Sequence, residues 1–262
     1  EVVNNDLAGG AKGRVPAGDF YERRVKAIMK ASGSKKTNFT DWDEMSTGAI
    51  YNGMGQGDVL VTPLQLANYT AAIANKGWYY TPHIVKSIDG KPNPDPRFKN
   101  KHLTKVQNQK YYDFVLKGME AVMLRGTGAS LKSSDFTQLA KTGTAQVPQG
   151  KDNSIFTLIA PADKPKIVVA AVMEHAGFGA TWAGPACTVI AEKYITGTLK
   201  REHLYKKMIN ASFMGEYKRQ WYKEHGKPKE DLDSIKLKKL QDSLKLINEK
   251  NSAKNKQPKK LT

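Results

Sequence analysis

Two local patterns predict helices in the first part of the chain. Residues 62–65, Thr-Pro-Leu-Gln, combine an N-cap threonine, a proline at the first helical position and a glutamine three residues after the cap. This helix is expected to run to about Asn75 and to be closed by Gly77. A short helix is also predicted near residues 19–29, and the rest of residues 1–50 is expected to be loop.

Apolar residues recur at helical spacing between Tyr111 and Met123. This spacing predicts a second amphipathic helix that ends near Gly126 and places its aromatic and methionine side chains in the core. The segment before it, residues 86–97, contains three prolines, Pro92, Pro94 and Pro96. Because proline disfavours helix interiors and central strands, this segment is expected to form an exposed connection or a small flap.

Two apolar runs, residues 155–160 and 167–173, flank the short sequence Pro-Ala-Asp-Lys-Pro. Runs of this length joined by a turn predict two buried strands in an antiparallel hairpin. Gly184 and Pro185 then open a third helix that Gly197 closes. The predicted fold class is α+β, an antiparallel β-sheet flanked by helices, with strands that begin near Phe136.

The character of the sequence changes after Gly197. Residues 198–262 hold more than half of the formal net charge of +17. Apolar residues at helical spacing predict an amphipathic helix over residues 231–249, and the composition from Lys250 onward is typical of a disordered tail. We therefore expect a folded part over residues 1–197 and a basic, partly helical and partly disordered extension over residues 198–262.

Composition and charge limit the classes of function. A pI near 9.7 favours an anionic partner, without choosing among nucleic acid, lipid and wall polymer. The single cysteine, Cys187, allows no internal disulfide and is expected to be a buried thiol. The five histidines show no ligand spacing, so no metal and no cofactor are expected. No window approaches the roughly 20 apolar residues of a membrane span.

The residues that indicate chemistry are Lys141, Thr142, Gly143 and Thr144, directly before the predicted hairpin. On a strand at the edge of the sheet, the Lys141 ammonium can attract a substrate carboxylate, and the two threonine hydroxyls can donate hydrogen bonds to it. Gly143 leaves the backbone open to a ligand, and the Thr144 amide can face a developing oxyanion. The pattern suits acyl transfer on a peptide with a terminal carboxylate.

Lys-Thr-Gly is also the third motif of penicillin-binding proteins and serine β-lactamases. Over about residues 10–197 the chain resembles class B penicillin-binding proteins, in particular the elongation-type penicillin-binding protein 2. The similar segments are the Gly-Gln-Gly stretch with the helix after it, at 55–68 and 74–77, and the segment that ends in Arg-Gly-Thr-Gly, at 119–128. The third motif with its continuation, at 141–146, and two X-Pro pairs, at 160–161 and 184–185, are also similar. A serine β-lactamase remains an alternative within the same fold, but the long class B stretch over residues 55–77 disfavours it.

The resemblance implies a D,D-transpeptidase that cross-links peptidoglycan stem peptides ending in D-Ala-D-Ala and is acylated by β-lactams. It implies that Lys141, Thr142 and Thr144 hold the terminal carboxylate and that the Thr144 amide completes the oxyanion hole. It further implies wall-synthesis partner proteins and a place on the periplasmic face of the inner membrane. The membrane anchor is expected only in a full-length parent.

The sequence departs from the family at the nucleophile. No Ser-x-Asn triplet occurs, and the only Ser-x-x-Lys is Ser32-Gly33-Ser34-Lys35, in a polar run that is expected to be loop. We therefore expect the nucleophile and the second motif to precede Glu1 in the parent, and the chain alone to be inactive.

Other classes of function remain as alternatives. The basic extension suits a non-catalytic interaction module of the wall-synthesis complex that binds anionic wall polymer or a membrane surface. Nucleic-acid binding is favoured only by net charge and is not expected, because aromatic residues do not alternate with the lysines.

Overall fold

A computed structural model describes residues 10–16, 18–33, 47–106, 108–148, 150–226 and 240–245. The chain divides into two compact units, Glu1–Phe213 and Met214–Thr262. The helices are α1 (Gly18–Ser32), α2 (Thr47–Gly53), α3 (Pro63–Ala74), α4 (Pro96–Lys99), α5 (Gln109–Leu124), α6 (Ala183–Thr196), α7 (Glu202–Ile209) and α8 (Met214–His225). The strands are β1 (Trp78–Tyr79), β2 (Ser87–Ile88), β3 (Lys91–Pro92), β4 (His102–Leu103), β5 (Leu139–Ala145), β6 (Asn153–Ala160) and β7 (Ile167–Met173).

The main sheet of the first unit has the strand order β5-β6-β7, and both strand pairs are antiparallel. Helix α6 packs against β6 and β7, α3 packs against the same two strands, and α5 packs against β5. Side chains alternate along β6: Phe156 and Leu158 join the core beside α6, whereas Ile159 joins the core beside α3 and α5. The sheet therefore has helices on both faces, as the predicted fold class requires.

The local signals for the long helices are confirmed. The Thr62 hydroxyl accepts a hydrogen bond from the Gln65 amide, and the Gln65 side chain accepts one from the Thr62 amide, which completes the capping box of α3. Helix α6 ends at Gly197, whose left-handed φ of 72° favours glycine. The predicted hairpin of β6 and β7 and the predicted helices over α1 and α5 are also present.

The core beside α6 contains Cys187, as predicted. Its Sγ lies 3.5 Å from the carbonyl oxygen of Phe156, and the residue is fully buried. Burial raises the pKa of the Cys187 thiol to about 12. The thiol is therefore neutral at physiological pH and serves packing.

Three expectations were wrong in detail. Of the aromatic side chains predicted to be buried on α5, Tyr111 and Phe114 are 64% and 80% exposed, whereas Tyr112 is buried. Helix was excluded from residues 86–97, yet α4 begins there, because Asp95 caps it and Pro96 occupies the first turn, where proline loses no hydrogen bond. Residues 47–50 were expected to be loop and form the first part of α2.

The remaining expectations concern the flap, the C-terminal helix and tail, and membrane spans. The flap predicted before α4 is the exposed hairpin of β2 and β3. Of the helix predicted over residues 231–249, the structure describes 240–245, which are helical. The tail from Lys250 lies outside the described residues. None of the described helices is long and apolar enough to cross a membrane.

Candidate active site

The four residues Lys141 to Thr144 lie on β5, the outer strand of the main sheet. Thr142 pairs with Phe156 and Thr144 with Ser154, so the two threonines share one side of the strand. Lys141 is exposed, and the next three residues are half-buried. Among the described strands β5 has β6 as its one neighbour, so its other edge faces away from the sheet.

Thr127 is a member of the site that sequence analysis did not single out. It follows α5, and its hydroxyl lies 3.0 Å from the hydroxyl of Thr142. Because α5 packs against β5, the end of the helix brings Thr127 to the middle of the motif. The Arg-Gly-Thr-Gly turn was the available signal, but spacing alone does not show that it meets β5.

The loop between β7 and α6 packs closely against the backbone of Gly143 and Ile155. A Cβ atom on Gly179 would lie 2.2 Å from the Ile155 carbonyl oxygen and 2.6 Å from that of Gly143, so only glycine fits there. Ser154 donates a hydrogen bond to the Phe178 carbonyl at 2.9 Å and accepts one from the Ala183 amide at 3.1 Å. This loop therefore packs against β5 and β6 and is tied to β6 through Ser154.

Two further contacts define the surroundings of the strand. The Gln146 amide, one residue after β5, donates to the side chain of Gln56 at 3.4 Å, which links the Gly-Gln-Gly stretch to the motif. Phe178, in the loop between β7 and α6, has a side chain that is 74% exposed. An aromatic surface and an amide side chain thus flank the cationic strand.

The Lys141 ammonium donates to the carbonyl oxygen of Thr142, so it stays beside the strand edge. A cavity of about 450 Å³ lies elsewhere, between α3 and the start of β7, where Ala67, Ala71, Ile167 and Val168 line it. Lys141 does not line that cavity. Among the described strands, the edge of β5 that does not pair with β6 is open.

Ser32 is not placed like an activated nucleophile. It ends α1 and is exposed, and its hydroxyl donates to the Met29 carbonyl at 3.4 Å. Ser34 and Lys35 of the Ser-x-x-Lys sequence lie outside the described residues. His175 was considered as a residue that lines the cleft. Its Nδ1 lies 3.1 Å from the Lys151 carbonyl oxygen, and this contact gives it no role in the site.

A sheet with helices on both faces and a Lys-Thr-Gly-Thr outer strand defines the class of penicillin-binding and serine β-lactamase folds. The family described as "Penicillin binding protein transpeptidase domain" matches residues 24–196. The chain belongs to this family. The narrower resemblance to the elongation-type penicillin-binding protein 2 is also confirmed, by the relatives that follow.

The chain is 31% identical over 214 residues to the peptidoglycan D,D-transpeptidase MrdA of Haemophilus influenzae, which covers 73% of this chain and 32% of that protein. MrdA of Escherichia coli K12 is 26% identical over 76% of this chain and 30% of that protein. The crystal structure of Pseudomonas aeruginosa PBP2 in complex with WCK 5153 is 31% identical, with a TM-score of 0.58 over 75% of this chain and 42% of that one. The chain spans about a third of the length of the curated relatives.

Proposed function

We propose that the chain supplies the carboxylate-binding side of a peptidoglycan D,D-transpeptidase site. The observation that carries the proposal is that Lys141, Thr142 and Thr144 all lie on β5, the outer strand of the main sheet. Relatives named peptidoglycan D,D-transpeptidase support the reaction class. In the whole protein, the reaction is the cross-linking of stem peptides that end in D-Ala-D-Ala.

Each residue has a distinct role in this proposal. The Lys141 ammonium attracts the terminal carboxylate, and the hydroxyls of Thr142 and Thr144 donate hydrogen bonds to it. Thr127 positions Thr142, because their hydroxyls are within hydrogen-bonding distance. Gly143 lets the peptide lie against the backbone, and the Thr144 amide stabilises the oxyanion of the tetrahedral intermediate.

The Lys141→Ala variant is expected to bind an N-acetylated D-Ala-D-Ala peptide roughly tenfold or more weakly, because it loses a charge-assisted contact. Isothermal titration of the folded chain at low salt measures this difference. Lys117→Ala removes the same charge from an exposed position on α5 and should leave the affinity unchanged. Equal weakening in both variants would show that only net charge matters and would contradict the proposal.

The covalent step requires an activated serine, and the sequence contains no Ser-x-Asn triplet. We expect the chain on its own to form no stable adduct with a fluorescent penicillin, whereas a polypeptide that includes all three motifs does. Gel fluorescence after denaturation measures the adduct. Labelling of a serine in this chain, located by mass spectrometry, would contradict the assignment of the nucleophile elsewhere.

The proposal extends to location and partners. We propose that the whole protein is anchored in the inner membrane, that this part works on the periplasmic face, and that β-lactams acylate the complete site. A related PBP2 from Helicobacter pylori, 29% identical with a TM-score of 0.57, has been solved in complex with MreC, which supports wall-synthesis proteins as partners. We assign residues 1–197 to the transpeptidase domain and residues 198–262 to a basic extension.

A further inference from the structure

Three arginines and one aspartate meet near the beginning of the chain. Arg14 lies in the segment that pairs with Leu60, Arg23 and Arg24 lie on α1, and Asp58 follows the Gly-Gln-Gly stretch. None of these residues belongs to the carboxylate-binding strand described above. We call Arg14, Arg23, Arg24 and Asp58 the arginine cluster.

Asp58 is the acceptor at the centre of the cluster. Arg14 donates through Nε to the Asp58 carbonyl at 2.9 Å and through one terminal nitrogen to Oδ1 at 3.1 Å. Arg24 donates through one terminal nitrogen, Nη1, to both Oδ1 and Oδ2 of Asp58, each at 3.0 Å. The Asp58 side chain is 20% exposed, whereas those of Arg14 and Arg24 are 41% and 55% exposed.

The Asp58 carboxylate does not accept hydrogen bonds from all the N–H donors of Arg14 and Arg24. A guanidinium has five N–H donors, and Arg24 uses one of its three nitrogens on Asp58. Within the described part of the chain, the Nε and the second terminal nitrogen of Arg24 have no acceptor. Arg23 pairs with Asp19 at 2.9 Å on the surface of α1, so two carboxylates face three guanidinium groups. The cluster keeps an excess of positive charge and of donors.

These donors surround a space that can hold a ligand. Arg14, Arg23, Arg24, Asp58 and Phe20 line a cavity of about 540 Å³. The Arg14 guanidinium carbon lies 5.1 Å from the centre of the Phe20 ring, which restricts the orientation of that side chain. Planar guanidinium groups held in place are the preferred partners of carboxylate and phosphate groups, because they donate two parallel hydrogen bonds.

We propose that the arginine cluster is a binding site for an oxyanion, a carboxylate or a phosphate group, with Arg23 and Arg24 as the principal donors and Phe20 as an apolar wall. Asp58 holds Arg14 and Arg24 in position and competes with the ligand for them. The site does not depend on the transpeptidase assignment, because it uses none of the residues on β5.

Inorganic phosphate and succinate are suitable probes, because they represent the two possible sources of the oxyanion. At about 0.01 M ionic strength, where screening is weak, titrations followed by the arginine Nε–Hε resonances should show saturable shifts for at least one probe. The Arg23→Gln and Arg24→Gln variants should each bind about tenfold more weakly. Tighter binding of phosphate indicates a phosphate ligand, and tighter binding of succinate indicates a carboxylate ligand.

A matched control separates a site from the general attraction of a basic protein. Arg97 also pairs with a neighbouring carboxylate, that of Asp95, and its guanidinium also lies 5.1 Å from a phenyl ring, that of Phe98. Arg97→Gln removes the same charge outside the cavity and should leave the affinity unchanged. Absence of saturable shifts with both probes, or equal weakening by Arg97→Gln and Arg23→Gln, would overturn the proposal.

A second variant tests the competing role of Asp58. Asp58→Asn keeps an acceptor for the arginines and removes the competing charge, so the affinity for the anion should rise severalfold. A purely structural role of Asp58 would instead lower the melting temperature without any gain in affinity, which would count against the proposal. If Asp58→Asn does not fold, the comparison of Arg23→Gln with Arg97→Gln still tests the proposal. Among the described residues Arg23 does not contact Asp58, so this comparison does not depend on that variant.

Discussion

Replacing Arg201 with methionine is expected to lower the free energy of unfolding by about 3–5 kcal/mol. Glu192, on α6, is almost completely buried, and its Oε1 accepts a hydrogen bond from the Arg201 Nε at 3.1 Å. Arg201 also donates to the Leu131 carbonyl at 2.7 Å, so one side chain ties α6 and the start of α7 to the turn before β5. Without it, the buried Glu192 carboxylate has no cation beside it among the described residues.

Chemical denaturation of Arg201→Met, with Lys200→Ala measured in parallel as a control, gives this loss of stability. Lys200 pairs with Asp135 at 2.9 Å, but its side chain is 62% exposed, so its loss should cost about 0–1 kcal/mol. Replacing Glu192 and Arg201 together by methionine should recover much of the stability, since the uncompensated charge is gone. A cost for Arg201→Met no larger than that of Lys200→Ala would contradict the assignment of a structural ion pair that links α6 to the turn before β5.

The Gly179→Ala variant is expected to lose on the order of 3 kcal/mol of stability and most of its peptide binding. The added methyl group would overlap the backbone carbonyls of Ile155 and Gly143, which no rotamer change can relieve. The loop must therefore move away from β5, or β5 must move with it. Either movement displaces the threonines that are proposed to hold the carboxylate.

Circular dichroism for stability and calorimetric titration for peptide binding check both parts of this prediction. Gly118→Ala is the matched control, because a Cβ at this exposed position on α5 meets no atom within 4 Å. It should raise stability by about 1 kcal/mol, since alanine is the better helix former. If Gly179→Ala retains wild-type stability and peptide affinity, the loop does not support the strand as described.

The elements that the sequence predicts well are those with local causes. The capping box of α3 involves residues three positions apart, and the β6–β7 hairpin follows from two apolar runs and a proline-rich turn. The Lys-Thr-Gly-Thr residues could be placed on a strand because they directly precede that hairpin. In each of these cases the neighbours in space are also neighbours in sequence.

What the sequence did not predict depends on distant contacts. Helical spacing shows that α5 is amphipathic, but it does not show how wide its buried face is, so Phe114 was wrongly placed in the core. Thr127 meets Thr142, and Gly179 meets Gly143, only after the sheet and α5 have packed. The arginine cluster likewise joins residues that are 34 and 44 positions apart.

The most direct test of the carboxylate-binding strand is a residue-resolved amide titration of the chain with an N-acetylated peptide that ends in D-Ala-D-Ala. The account predicts that the largest shifts fall on Thr142, Gly143 and Thr144, and that they largely disappear when the peptide carboxylate is converted to an amide. Shifts that concentrate in the cavity between α3 and β7, or that are equal for the acid and the amide, would contradict it.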